Sequence, residues 1–405
     1  MINLETPKKF RALIDQAHQV AENVLRPISR KYDLAEHTYP KELDMLAAMI
    51  DGLEESGQSG GAGAAGVKGD PSTNGSGGGN RNGSNLSTVL SIIEMCWGDV
   101  GLTLALPRQG LGNAAIASVA TPEQQERFAG KWAAMAITEP EAGSDSAAIR
   151  TTAVLDGDEY VLNGEKIFVT SGDRADLLVV WATLDPSKGR AAIKSFVVDR
   201  HAPGVKLDRL EHKLGIRASD TANFVLENVR VPKENLLGSP EIDTKKSFAG
   251  AMKTFDNTRP LVAAMALGVA RACIERTREL LAEAGVEVDY DRPATAQSGP
   301  AAELLDMEAD YEAALLITLE AAWMADNSKP NSLHASMAKA KAARTAVDIA
   351  MRCVELCGAT GYGEDELLEK WARDAKILDI FEGTQQIQLL IIARQLLGKS
   401  SAELR

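Results

Sequence analysis

The chain has 405 residues, 45% of them apolar, which is enough for two or three domains of about 150 residues each, with ample material for a core. Its 44 lysines and arginines against 57 aspartates and glutamates leave a net charge of −13, so it lacks the basic field that sequence-independent nucleic-acid binding requires. Cys96, Cys273, Cys353 and Cys357 are too few and too scattered for a secreted disulfide framework. With no signal-like apolar N-terminus and no run of 18 apolar residues, a soluble cytoplasmic protein that does not enter a membrane is expected.

From Thr6 to about Arg26, Phe10, Leu13, Ile14, Ala17, Val20 and Val24 recur at intervals of three and four, the pattern of an amphipathic helix. A second helix follows Pro40 in KELDMLAAMIDGL. Residues 57–84 then hold 11 of the 34 glycines, with Ser, Asn and Ala between them, a composition that reads as a loop or flexible flap. Helical texture returns in LSTVLSIIEMCWGDVGL, and Thr121-Pro122-Glu123 reads as an N-cap with a first-turn proline. Between about Lys131 and Leu237 the pattern turns to strands, with turn signals at Asp156-Gly157 and Asn163-Gly164 and further strands in DLLVVWATL, SFVVDR and NFVLENVRVP. Beyond Lys253 long helices resume, one carrying the stripe Leu304, Met307, Tyr311, Leu315, Leu319 and Trp323. The division expected is a helical region over 1–130, a β domain over 131–240 and a helical bundle over 241–405. Strands and helices do not alternate, which excludes a TIM barrel or a doubly wound sheet.

Several ligand signatures fail. Gly398-Lys399-Ser400 lacks the upstream glycine of a phosphate-binding loop, because Ala393 stands there inside an apolar helix. Gly358, Gly361 and Gly363 follow no strand, so they offer no dinucleotide fingerprint; they either end a helix or approach a ligand. The histidines His18, His37, His201, His212 and His334 never fall at ligand spacing, and no metal is expected. Cys353 and Cys357 read as buried helix residues.

Four segments stand apart: ITEPEAGSD (Ile137–Asp145), KIFVTSG (Lys166–Gly172), FDNTRP (Phe255–Pro260) and DIFEGTQQIQ (Asp379–Gln388). In this order they resemble the acyl-CoA dehydrogenases, over about residues 95–398. The resemblance implies an α+β fold with an N-terminal all-α domain, a middle β-barrel or sandwich domain and a C-terminal four-helix bundle. It also implies FAD as cofactor, an acyl-CoA substrate and an electron-transferring flavoprotein as acceptor.

Such an enzyme removes the α-proton of a thioester and passes a β-hydride to flavin N5, so it needs a carboxylate base, enolate stabilisation and a flavin in fixed geometry. The resemblance makes Glu382, in Glu-Gly-Thr, the base, and an apolar wall there would raise its pKa. Read from the residues alone, Glu382 is equally an acid ahead of the next helix, with Thr384 as cap. In branched-chain and long-chain members the base lies where this chain has Thr258. Carried over position by position, Ile137, Thr138, Gly143, Ser144, Phe168, Thr170, Thr384 and Gln386 face the cofactor. Among these, Thr138 is expected at the pyrimidine edge, Ser144 near the pyrophosphate and Thr170 toward N5, while Phe168 stands in for the usual tryptophan. Ser144, Asp256, Arg259 and Gly383 are the expected substrate contacts, Arg259 being open to a duller reading as a helix-capping arginine. Arg217 and Ser219, in KLGIRASDTANFVLENVRVP, follow the family pattern too, or simply fix a loop over the sheet.

The chain also departs from the family. The segment VDYDRPATAQSGPAAELL lacks the Arg-x-x-Phe-Gly whose arginine reaches a neighbour's FAD in homotetrameric members. Glu355, followed by Cys357, Gly358 and Ala359, replaces a glutamine before Leu-Gly-Gly, putting a carboxylate near a pyrophosphate. These losses concern what one subunit gives another. They point to a heteromer in which a related, paralogous subunit supplies the missing arginine, or to a catalytically silent subunit that scaffolds an active paralogue; a homo- or heterotetramer is what the resemblance implies for the assembly.

Overall fold

Pro27 sits in the middle of the first helical segment and does not end it. In the computed structural model, which describes residues 7–55, 83–107, 111–242, 249–400 and 403 (backbone alone at 49–55 and 249–257), helices α1 (Arg11–Val20) and α2 (Arg26–Leu34) are joined by a π-helical turn, Ala21–Leu25. A proline lacks the N–H and crowds the carbonyl four residues back. Widening the turn just ahead of it relieves both, so the helix outruns the sequence reading. Helices α3 (Glu42–Glu55), α4 (Ser84–Gly98), α5 (Val100–Leu104), α6 (Leu111–Val119) and α7 (Pro122–Arg127) complete this region. Thr121 caps α7 through a reciprocal pair: its hydroxyl accepts from Gln124 N, and Thr121 N donates to Gln124 Oε1. The glycine-rich stretch lies outside the described residues up to 82.

Seven strands follow: β1 (Ala133–Ala136), β2 (Thr152–Asp156), β3 (Glu159–Thr170), β4 (Leu177–Thr183), β5 (Ile193–Asp199), β6 (Val205–Leu210) and β7 (Thr221–Pro232). They form one sheet in the order β1-β4-β2-β3-β7-β6, with β5 also paired to β4. Every residue of β4 is buried because its side chains alternate between two cores. Leu178, Val180 and Ala182 join Phe196 and Phe224 on one face, while Leu177, Val179 and Trp181 join Ile116 and Val197 on the other. The Asp156-Gly157 turn is present, with Asp156 paired to Glu159 and Gly157 at φ 66°. The Asn163-Gly164 turn is not: β3 runs straight through, and Gly164, at φ 155°, absorbs a register shift against β7 where a Cβ would lie 2.4 Å from Thr151 Oγ1.

The C-terminal region packs α8 (Ala249–Glu283), α9 (Gly299–Asp326), α10 (Ser332–Tyr362), α11 (Leu368–Leu378) and α12 (Gln385–Leu397). Alanines line the core faces of α8 (Ala263, Ala266, Ala270) and α10 (Ala338, Ala342, Ala346), and small side chains let the helices approach closely. Gly358 ends the long stretch of α10, as read from the sequence. It breaks the helix in a left-handed conformation (φ 54°), after which the helix resumes to Tyr362, ahead of Gly363. Cys353 is buried, Cys357 half-buried, and both are free thiols on α10. A buried charge cluster ties the regions together. Lys370 Nζ on α11 lies 2.7 Å from Asp99 Oδ2 and 2.5 Å from Asp374 Oδ2, and Asp374 Oδ1 accepts from Ile216 N in the β6–β7 loop. No helix among the described residues is long and apolar enough to cross a membrane.

Candidate active site

Between α11 and α12 the chain reverses through two consecutive left-handed residues, Glu382 (φ 56°) and Gly383 (φ 91°). A glutamate pays a steric cost there that glycine does not, so the turn must be held from outside. Lys339 Nζ, from α10, donates to the Gly383 carbonyl at 2.7 Å, and Gln388 Nε2 donates to the carbonyls of Glu382 (3.2 Å) and Gly383 (3.1 Å). Thr384 caps α12 by accepting from Ile387 N. The turn thereby aims the Glu382 carboxyl at α8, where Thr258 Oγ1 donates to Oε2 at 2.7 Å.

Burial is the largest influence on the Glu382 carboxyl and raises its pKa, opposed by the Thr258 hydrogen bond and by the charges of Arg259 and Lys339. Burial also pushes the Lys339 ammonium down to about 8, against the pull of Asp379 and Glu382. Arg259 is buried, so it is not a surface cap; its guanidinium reaches Ser336 Oγ at 3.4 Å. Asp256 lies on α8 where side chains fall outside the described residues. This arrangement can take a proton from a carbon acid: a half-buried glutamate whose carboxyl is raised in pKa by burial, with a neighbouring hydroxyl donor and two nearby cations.

The second half of the expected site is built on the sheet. Ile137 is buried, and the Thr138 carbonyl accepts from Ile167 N at 2.9 Å, which lays the ITEPEAGSD segment along β3. A buried ion pair locks this contact: Lys166 Nζ lies 2.7 Å from Glu139 Oε1 and 3.1 Å from the Ile137 carbonyl. Glu139 also accepts from Thr151 N (3.0 Å) and Arg150 N (2.6 Å). A bulge between Lys166 and Val169 puts Phe168 at φ 59° and turns its ring outward, 58% exposed. Thr138 and Thr170 are half-buried beside it, and Gly143 and Ser144 are exposed at the loop end. Two hydroxyls, an exposed ring and an open glycine loop along one edge form a donor set that fits a flavin ring and its phosphates.

The two halves meet through the β6–β7 loop. The Asp220 carbonyl accepts from Ser171 N next to Thr170, while Ile216 N donates to Asp374 on α11, the helix that leads into the Glu382 turn. Arg217 Nε donates to the Lys213 carbonyl, and the Ser219 carbonyl accepts from Lys213 Nζ, so these residues fix the loop. Gln386 is exposed on the first turn of α12, and Glu355 is exposed on α10.

Sequence reasoning missed Lys339, Gln388 and the Glu139–Lys166 pair. Lys339 had one visible signal: it shares a helix face with Ala335, Ala338, Ala342 and Ala343, an apolar face on which a cation is out of place.

The chain matches the family models "Acyl-CoA dehydrogenase, N-terminal domain" over residues 7–136, "Acyl-CoA dehydrogenase, middle domain" over 134–229 and "Acyl-CoA dehydrogenase, C-terminal domain" over 248–397. It is 36% identical over 323 residues to the short-chain specific acyl-CoA dehydrogenase of Clostridium acetobutylicum, covering 78% of this chain and 83% of the relative. It is 33% identical over 391 residues to the acryloyl-CoA reductase (NADH) of Anaerotignum propionicum, covering 95% and 93%. The solved structure of butyryl-CoA dehydrogenase from Megasphaera elsdenii superposes with a TM-score of 0.82 at 30% identity, covering 98% of this chain and all of that one.

The chain therefore belongs to the acyl-CoA dehydrogenase family. It is an oxidoreductase of that type, and FAD is the cofactor of the family.

Proposed function

We propose that this chain catalyses α,β-dehydrogenation of an acyl-CoA thioester to the trans-2-enoyl-CoA, with Glu382 as the α-proton base. The observation that carries this reading is the Glu382 carboxyl, raised in pKa by burial, bonded to Thr258 and held on a turn that costs conformational energy to maintain. FAD, when bound, supplies the acceptor for the β-hydrogen and its electron pair. The chain supplies the rest. Thr138, Thr170, Ile137 and Phe168 would hold the ring edge, Gly143 and Ser144 would meet the phosphates, and Thr384 and Gln386, at the start of α12, would complete the cradle. Arg259, Asp256, Ser144 and Gly383 receive the thioester. The backbone N–H of Glu382 donates to its carbonyl oxygen, a contact worth about 3 kcal/mol where negative charge develops.

Electrons leave to an electron-transferring flavoprotein, the assembly is a tetramer, and its role lies in fatty acid or lipid metabolism. The four free thiols suit the cytoplasm. The test is anaerobic bleaching of the flavin by a panel of acyl-CoA thioesters, with the enoyl product identified by mass. If no thioester bleaches the flavin of a stoichiometrically loaded complex, the reading is abandoned.

A second reading, a silent or half-site subunit that scaffolds a paralogue, is favoured by the exposed carboxylate of Glu355 at the position expected to serve a neighbour's cofactor. Purification alone and with a paralogue separates the two. A homotetramer with one FAD per chain and full turnover removes the second reading.

A further inference from the structure

The fold brings together three groups that the linear sequence keeps far apart. Glu36 and His37 lie in the turn after α2, and His212 lies 176 positions beyond Glu36, in the loop that follows β6. One ligand atom from each lies within 4.8 Å of the others. His212 Nδ1 is 2.9 Å from Glu36 Oε2, and the His37 and His212 rings lie 4.8 Å apart at 59°. Glu36 Oε1 accepts from Lys213 N at 2.9 Å, which orients the carboxylate.

His37 supplies the second, independent observation. Both of its ring nitrogens are buried and lack a hydrogen-bond partner in the protein. An imidazole in that position has given up its hydration for nothing within the chain. Its backbone is left-handed as well, at φ 67°, a conformation that must be held against a steric preference.

We infer that Glu36, His37 and His212 form a binding site for a divalent transition-metal cation, with Zn2+ the best match. Two imidazoles and one carboxylate are a ligand set for zinc, with water in the fourth position. Ligand atoms around tetrahedral zinc stand about 3.3 Å apart, from metal–nitrogen bonds of about 2.0–2.1 Å. The ligand atoms lie within 4.8 Å of one another, so small side-chain shifts close the cluster to that spacing, and His212, whose side chain is 84% exposed, has room to make them. The charged groups around His37 are Glu36, Asp220 and Lys213. Lys213 directs its ammonium to the Ser219 carbonyl, and Asp220 is paired with Arg174. An ion here would staple the end of α2 to the β6–β7 loop, and through the Asp220–Ser171 contact to the strand end that carries Thr170.

The test uses the untagged, FAD-loaded protein, stripped of metal with chelator and titrated with Zn2+ by calorimetry, with Co2+ as a spectroscopic probe. The expected result is one ion per chain, a rise in melting temperature on addition and visible Co2+ absorption of a site with nitrogen ligands. His37→Ala should abolish binding. His212→Ala, which removes an exposed ring and leaves the fold intact, should weaken it at least tenfold and erase the Co2+ bands. Absence of saturable binding to the wild-type protein, or binding of equal affinity to His212→Ala, overturns the site.

Discussion

The Thr258 hydroxyl on α8 donates to the Glu382 carboxylate at 2.7 Å, joining two residues 124 positions apart at the point where the family places its base on one or the other. In the proposed reading, with Glu382 as the base, the position on α8 serves the base instead of replacing it. A hydrogen bond to a carboxylate favours its ionised form and opposes the burial that raises its pKa.

Thr258→Val keeps the shape and removes the donor. The Glu382 pKa then rises further, so the base becomes ionised only at higher pH. The acid limb of the rate of flavin reduction should move to higher pH, by an amount set by a charged hydrogen bond of about 1.5–3 kcal/mol. A limb that stays in place or moves to lower pH contradicts the assignment.

Lys339→Met removes both the tether on the Gly383 carbonyl and a cation beside Glu382. Bound FAD should be retained while the rate of flavin reduction falls and its acid limb moves to higher pH. Stability carries a second signature. The folded pKa of Lys339 is depressed to about 8 from 10.5, so the unfolded chain holds more protons between those values, and this group's contribution to stability grows as pH rises through that window. Denaturant unfolding from pH 8 to 10 should rise less steeply in the variant, by up to about 1.4 kcal/mol per pH unit. Equal slopes would mean that the lysine is not desolvated.

Lys166→Met leaves the buried Glu139 carboxylate without its countercharge. Breaking one side of a buried ion pair costs about 3–5 kcal/mol, and urea unfolding at pH 7 should register a loss of that size. FAD affinity should fall too, because the pair fixes Thr138 against β3. The Glu139 pKa is lowered, since Lys166, Thr151 and Arg150 outweigh its burial. Its contribution is therefore present above the ordinary glutamate range and is lost as pH falls through the lowered value. A loss under about 1 kcal/mol would count against the pair as the lock.

The order of helices, sheet and helices was legible because hydrophobic period changes from 3.6 to 2 and back, and Thr121 was legible as a cap because its partner, Gln124, is local. Glu382 was legible through a motif. What failed to show in sequence depends on distant partners or on local strain relieved elsewhere. Pro27 is tolerated by a π turn, and Asn163-Gly164 reads as a hairpin turn until β7 supplies a partner on both sides of it. Glu139 and Lys166 both sat inside segments singled out, yet their pairing needs the loop laid along β3 before it exists. Lys339 stands out only as a cation on an alanine-lined face, and its partner, the Gly383 carbonyl, exists only once the Glu382 turn closes over it.

The measurement that bears most directly on the account is stopped-flow reduction of the bound flavin by an acyl-CoA substrate in Glu382→Gln. The amide keeps the size of the side chain and removes its basicity, so FAD content and the spectral change on thioester binding should persist while reduction slows about 100- to 10,000-fold. Reduction of Glu382→Gln at the wild-type rate, with FAD bound one per chain, would contradict Glu382 as the base.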